Sequence, residues 1–299
     1  MRKVLIYLVF STLLIQCQKS GEPVNLDEIS PEEDFIVNIE TSYGTMKAIL
    51  YDETPKHKQN FLKLANEGFY TDLLFHRIIK GFMLQGGDPD SRNAGKDDIL
   101  GRGDPGYTIP AEFNEKLFHK KGALSAARMN DQVNPKKESN GSQFFIVQGQ
   151  KYTEEELAST AIDYRKLYTY FDSAMRSNEF NEMKSRFASL QTEGSKEDIR
   201  NFIVGAKDTL ESVYSVELDN PMPQERIEVY TTIGGYPSLD GAYTVFGQVI
   251  DGLDVIDVLS AKETGKGDRP LEDLKMKVSL EVMKRKEIEE QFDFKYSSK

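Results

Sequence analysis

The chain has 299 residues, 38% hydrophobic and 29% charged, which is enough to bury a substantial core and more than one small domain requires. Its formal net charge of −11 argues against nucleic acid and anionic surfaces as partners, because phosphate binding needs clustered Lys and Arg. A single cysteine, Cys17, excludes an internal disulfide and a thiolate metal site.

Met1, Arg2 and Lys3 lead into "VLIYLVFSTLLIQ", an apolar run of signal-peptide length and too short for a comfortable membrane span, so residues 1–16 read as a signal peptide. Cys17 follows directly, after Leu14, Ile15 and Gln16. It resembles the lipidated cysteine of a bacterial lipoprotein, although Gln16 departs from the small residue usual at that position. A cleaved signal peptide with an incidental cysteine, or an uncleaved anchor, is the other reading. The resemblance implies lipidation at Cys17, attachment to a membrane through that anchor, and an exported protein of the bacterial cell envelope facing the periplasm or exterior. Residues 17–34 are polar, with Pro, Gly and acids, and read as a flexible tether.

Residues 35–51 alternate apolar and polar positions around Gly44, as two strands joined by a turn would. Thr54 before Pro55 reads as an N-cap, and Phe61, Leu64 and Ala65 form the apolar stripe of a helix that stops at Gly68. From 73 to 147 short β-type runs are separated by Gly and Pro, which fits a barrel or sandwich. A β pattern resumes at 228–233 and again at 243–252, and 277–282 reads as a final strand before a polar, frayed tail, 284–299.

Between the β blocks, Leu157, Ala161, Tyr164, Tyr168, Phe171 and Met175 recur at helical spacing, continued by Phe180, Met183, Phe187 and Leu190 after a slip near Ser177. Thr153 with Glu156 forms a capping box at the start. Gly194 punctuates, and Ser195 with Asp198 caps a second helix marked by Ile199, Ile203, Ala206, Leu210 and Val213. The segment 151–227 therefore reads as a helical hairpin inserted into a β domain formed by 35–150 and 228–283. Its aromatic stripe serves either as an internal packing seam or as a binding face.

Three scattered histidines offer no ligand spacing, so no metal is expected. The run 88–99 resembles a calcium loop only in its first positions, since Asn93 and Ile99 stand where Gly and Glu are needed. No nucleophile elbow and no phosphate loop appears. What remains in "FHRIIKGFMLQGGD", 75–88, is an arginine, a glutamine and a Phe-Met pair. That set suits a reaction in which no bond breaks. Rotation about an X-Pro amide faces a barrier of roughly 18–20 kcal/mol, and a guanidinium with an amide donor can favour the twisted state while apolar groups hold the ring.

These residues resemble the cyclophilins. "FHRIIKGFMLQGGD", "NGSQFFI" at 140–146 and "LDGAYTVFG" at 239–247 are close to that family's motifs, in the family's order. The resemblance implies a mainly β fold, a closed antiparallel β-barrel with flanking helices, here carrying the helical insertion. It implies a peptidyl-prolyl cis-trans isomerase with no cofactor and no metal, acting on proline-containing peptides and unfolded or exported proteins. Arg77 would be the catalytic guanidinium and Gln85 its neighbour. Phe82, Met83, Phe145 and Leu239 would form the proline pocket, and Ala127, Arg128 through its backbone, and Gln143 would align the peptide. Tyr243 stands where the family often has His, and Ser238 where eukaryotic members commonly have the Trp that contributes to cyclosporin binding. Strand alternation assigns one of Phe144 and Phe145 to core and the other to pocket. A second functional reading, from another class, is a chaperone or docking module in which the insert binds clients and the barrel is a scaffold.

Overall fold

The computed structural model describes residues 23–159 and 162–296, so the segment read as a signal peptide, Cys17 and Ala161 lie outside the described residues. The tether does not run free to its expected end. Val24 is buried against the barrel core, and its main-chain N–H and C=O both pair with the Asn66 side-chain amide, at 2.8 and 2.9 Å.

The hairpin β1 (Glu33–Thr41) and β2 (Gly44–Leu50) is followed by α1 (Pro55–Asn66). Thr54 makes no side-chain cap. The Glu112 carboxylate accepts instead from the N–H groups of Lys56 and His57, at 3.1 and 3.0 Å, which satisfies the first-turn donors from a distant loop. Short strands follow: β3 (Leu73–Leu74), β4 (Arg77–Ile79), β5 (Met83–Gly86), β6 (Thr108–Ile109), β7 (Ala123–Ala126), β8 (Ser139–Asn140) and β9 (Phe144–Val147).

The insert is more divided than a hairpin. It holds α2 (Glu154–Ser159), α3 (Tyr164–Arg176), α4 (Asn181–Glu193), α5 (Lys196–Gly205), α6 (Lys207–Tyr214) and α7 (Gln224–Thr232). Both capping boxes form, Thr153 with Glu156 and Ser195 with Asp198. The face that α3 buries is Leu167, Phe171 and Ala174, while Tyr168 points outward. These residues pack with Phe180, Ile203, Leu210 and Leu218 in a core separate from the barrel's, and Phe171 and Phe187 meet edge-on at 5.0 Å.

Residues 228–233, expected as a strand, lie mostly in α7. Their β-branched content is overridden because Tyr230 buries completely and the hydroxyls of Thr231 and Thr232 bond back to the Glu228 carbonyl. The chain then forms β10 (Val245–Asp251), α8 (Leu253–Ser260), β11 (Lys275–Lys284) and α9 (Arg285–Phe292). The last replaces the expected frayed tail. Ile288 is fully buried against Ile36 and Ile49 on the outer side of β1 and β2, an anchor hidden in a run whose other residues are mostly polar.

Nine strands form one antiparallel sheet in the order β3-β11-β1-β2-β10-β7-β9-β5-β4, curled by register shifts in β10. The ladder is not the closed barrel that the motifs imply. Its two ends, β3 and β4, are consecutive in the chain and separated only by Phe75 and His76, so chain continuity bridges the gap that hydrogen bonds leave. Inside the curl, Phe61 stacks on Tyr70 at 4.8 Å and meets Phe144 edge-on at 5.3 Å.

His76 sits buried at that junction, and burial pushes its pKa from 6.5 down to about 4, against the attraction of the Asp88 carboxylate. The unfolded chain takes up this proton near pH 6.5 and the folded chain only near pH 4, so stability falls as pH drops through that window. The expected loss is about 3 kcal/mol by pH 4. Burial lowers the pKa of His57 as well, in the same sense. Urea midpoints measured between pH 7 and 4 should show a shallower decline in His76→Gln; an unchanged slope would remove His76 as the titrating group.

Candidate active site

Register builds the site. Arg77 pairs with Gln85, Gln85 with Phe145, Phe145 with Ser125, and Ser125 with Val245, which makes one lateral row across five strands. The neighbouring row, Ile78, Leu84, Ile146 and Leu124, has the opposite pleat and faces the core. Phe144 accordingly joins the core and Phe145 the outer apolar cluster, as alternation requires.

That outer cluster contains Met83, Ala127 and Phe145, with Phe82, Leu239 and Tyr243 packed at its edge. The β4–β5 turn presents Phe82. Its N–H bonds to the Ile79 carbonyl at 3.0 Å, and Gly81 takes the left-handed conformation, φ 77°, that the turn needs. Phe82 lies 6.5 Å from Phe145 and 4.3 Å from Tyr236, while Tyr243 meets Phe145 edge-on at 5.7 Å.

Arg77 stands at the rim, with its side chain 41% exposed, and its Nε bonds to Asp268 Oδ2 at 3.2 Å. Its terminal amino groups make no hydrogen bond among the described residues. Gln85 donates to the Gln143 amide oxygen at 3.0 Å, and Gln143 donates to the Gly103 carbonyl at 2.7 Å, so the buried Gln143 holds Gln85 in place. The Ala127 N–H and C=O are taken by Gln143 and Asn140, which leaves its methyl group as its contribution to the cluster. The Arg128 main chain makes no hydrogen bond among the described residues. Its guanidinium, only 5% exposed, lies 4.5 Å from the centre of the Tyr243 ring and donates to the Ala242 carbonyl and to Asp131. All ten residues expected at the site thus gather on one face, and Ser238 lies exposed at its edge.

Three supporting groups were not legible as site residues. Tyr236 touches Phe82 but lies ahead of the third motif, after a Gly pair. Asp268 reaches Arg77 from a loop far along the chain, and its neighbour Arg269 ties that loop to the carbonyls of Gly95, Lys96 and Asp98. Asp240 stabilises the turn that carries Leu239: it accepts from the His119 N–H and Nδ1, both at 2.9 Å, and from the Tyr230 hydroxyl of α7 at 2.7 Å. Proximity in the fold identifies Tyr236 and Asp268, while Asp240 stands within the third motif and only its partners come from the fold.

The family model described as "Cyclophilin type peptidyl-prolyl cis-trans isomerase/CLD" matches residues 36–171 and 189–280. The chain belongs to this family, the cyclophilin-type peptidyl-prolyl cis-trans isomerases, whose chemistry is rotation about X-Pro bonds. Among curated relatives, "Putative peptidyl-prolyl cis-trans isomerase" of Staphylococcus saprophyticus is 30% identical over 81% of this chain and 89% of its own. "Putative bifunctional phosphatase/peptidyl-prolyl cis-trans isomerase" of Streptococcus pyogenes is 33% identical over 80% of this chain, which spans only 37% of that relative. A solved cyclophilin-type isomerase of Cryptosporidium parvum is similar over 83% of this chain and 98% of its own, with 21% identity and a TM-score of 0.47.

The Tyr230–Asp240 bond joins the insert to the turn bearing Leu239. A hydrogen bond to a charged group contributes about 1.5–3 kcal/mol. Tyr230→Phe should therefore lower the melting temperature and raise KM for X-Pro peptides more than it lowers kcat. Lost stability with an unchanged KM would show that the bond serves the fold alone.

Proposed function

We propose that Arg77 stabilises the twisted X-Pro amide while the proline ring rests on Phe82, Met83, Phe145, Leu239 and Tyr243. The observation that carries this reading is the lateral row that sets Arg77 beside Gln85, with Phe145 next along the same face. The free terminal amino groups of Arg77 can meet the charge that develops on the substrate carbonyl as resonance is lost. Gln85, held by Gln143, adds an amide donor or acceptor to the substrate main chain. The unpaired main chain of Arg128 can align an extended peptide. Substrate binding leaves the protein's covalent bonds untouched, and the rate gain comes from contacts that strengthen as the bond twists.

The substrates are proline-containing peptides and unfolded proteins whose folding waits on X-Pro bonds. Arg77→Ala is expected to slow a protease-coupled isomerisation assay on a short X-Pro peptide roughly a hundredfold, the scale of losing one oxyanion donor. The exposed position of Arg77 predicts an unchanged melting temperature in the same variant. A rate near that of the wild type would sink the mechanism.

The site is proposed to work in the bacterial cell envelope, on exported proteins, anchored through a lipidated Cys17. The support is the apolar run that ends at this cysteine. Intact-mass measurement of the mature protein should find a lipid-modified Cys17 at the N-terminus, and Cys17→Ser should move the protein from the membrane to the soluble fraction. An unmodified Cys17 in membrane-bound protein would overturn the anchor.

A further inference from the structure

A cleft of about 1280 Å³ separates the barrel from the insert, larger than the roughly 300–1,000 Å³ of small-molecule sites. Its barrel wall is the loop with Phe113 and Phe118 and the turn with Pro237 and Ser238, and its insert wall carries Tyr164 and Met222. The cleft adjoins the apolar cluster of the isomerase site, since Leu117 belongs to both. Leu239 packs in the outer apolar cluster, and its chain neighbours Ser238 and Asp240 line the cleft.

The charges of the lining balance. Arg226 pairs with Asp240 and lies over the Phe118 ring, and Lys116 and Arg200 are matched in number by Glu115 and Glu225. A wall without net charge does not select a polyanion, in a protein whose own net charge is −11. Aromatic rings and prolines make up half of what is left, with Leu117 and Met222 beside them. Phe113 is exposed, and Tyr164 carries Arg200 over its face at 5.4 Å, so this surface offers apolar contact with a donor for main-chain carbonyls.

We propose that this cleft is a second binding site, for an unfolded apolar stretch of the same polypeptide whose proline occupies the isomerase site. The proposal rests on the isomerase reading. It gives the insert a task in substrate selection: chains long enough to pass the Pro237–Gly241 turn bind at both sites, and a short peptide binds at one.

The test uses the full chain and the variants Phe113→Ala and Met222→Glu, one on each wall and neither in the insert's core. Two substrates are compared, an X-Pro tetrapeptide and a reduced, carboxymethylated protein whose refolding waits on an X-Pro bond. The expected result is an unchanged kcat/KM for the tetrapeptide and a KM for the unfolded protein raised about fivefold or more. Equal effects on both substrates, or none on either, would overturn the proposal. A dimer in solution that both variants dissociate would also overturn it, in favour of a second copy as occupant. Should wild-type protein fail to turn over the tetrapeptide, the isomerase reading falls by itself. Fluorescence anisotropy with the labelled unfolded protein then decides the cleft: weaker binding by Met222→Glu supports it, and equal binding rejects it.

Discussion

Antiparallel register among β4, β5, β9 and β7 divides the sheet into two faces, and both the core and the site depend on that division. Side chains alternate with a period of two, so a slip of one residue would send Phe145 inward and Phe144 outward. The same slip would carry Arg77 away from Gln85. Register is set from the inside, where Ile78, Leu84, Ile146 and Leu124 are fully or almost fully buried. Gly87 adds a further constraint: a Cβ there would come within 2.3 Å of the Ser142 carbonyl, so this close approach admits glycine only. The hydrophobic effect on one face thereby positions polar groups on the other.

The insert is bound into this arrangement. Its helices bury their own apolar residues around Phe171 and Leu210, so the aromatic stripe is largely an internal seam. Its last helix makes the connection outward. Tyr230 reaches Asp240, which also takes two bonds from His119, and His119 in turn lies parallel to Phe145 with ring centres 6.1 Å apart. A continuous chain of contacts therefore runs from the insert to the apolar floor of the site. An addition of this size between the second and third motifs can be tolerated because both of its junctions close on the barrel through Gly235, which pairs with Lys120 and with Gln150.

Much of the fold was legible from local signals. The opening hairpin, the helix after Pro55, the two capping boxes and the final strand all follow from periodicity and from cap chemistry within a few residues. Readings failed where a distant group decided the outcome. Thr54 yields its capping role to Glu112, the β-like run at 228–233 becomes helix around Tyr230, and the polar tail folds because Ile288 finds Ile36 and Ile49. The tether is shorter than expected among the described residues for the same reason, since the Val24 main chain bonds to Asn66 and β1 begins at Glu33.

Local patterning suffices to say which residues face together along each strand and in what order the three motifs come, and from these follow the family and the residues expected around Arg77. Pleat and turn chemistry act over a few positions, so such information survives in a string of letters. Tertiary structure alone decided the partners of those residues. Asp268 on Arg77, Tyr236 on Phe82, Arg128 on Tyr243 and Tyr230 on Asp240 each join parts of the chain that no local pattern links. It also decided that the ladder ends at Phe75 and His76, and that a cleft opens between barrel and insert beside Leu239. These features arise from packing between elements, where burial and hydrogen bonding outweigh local propensity.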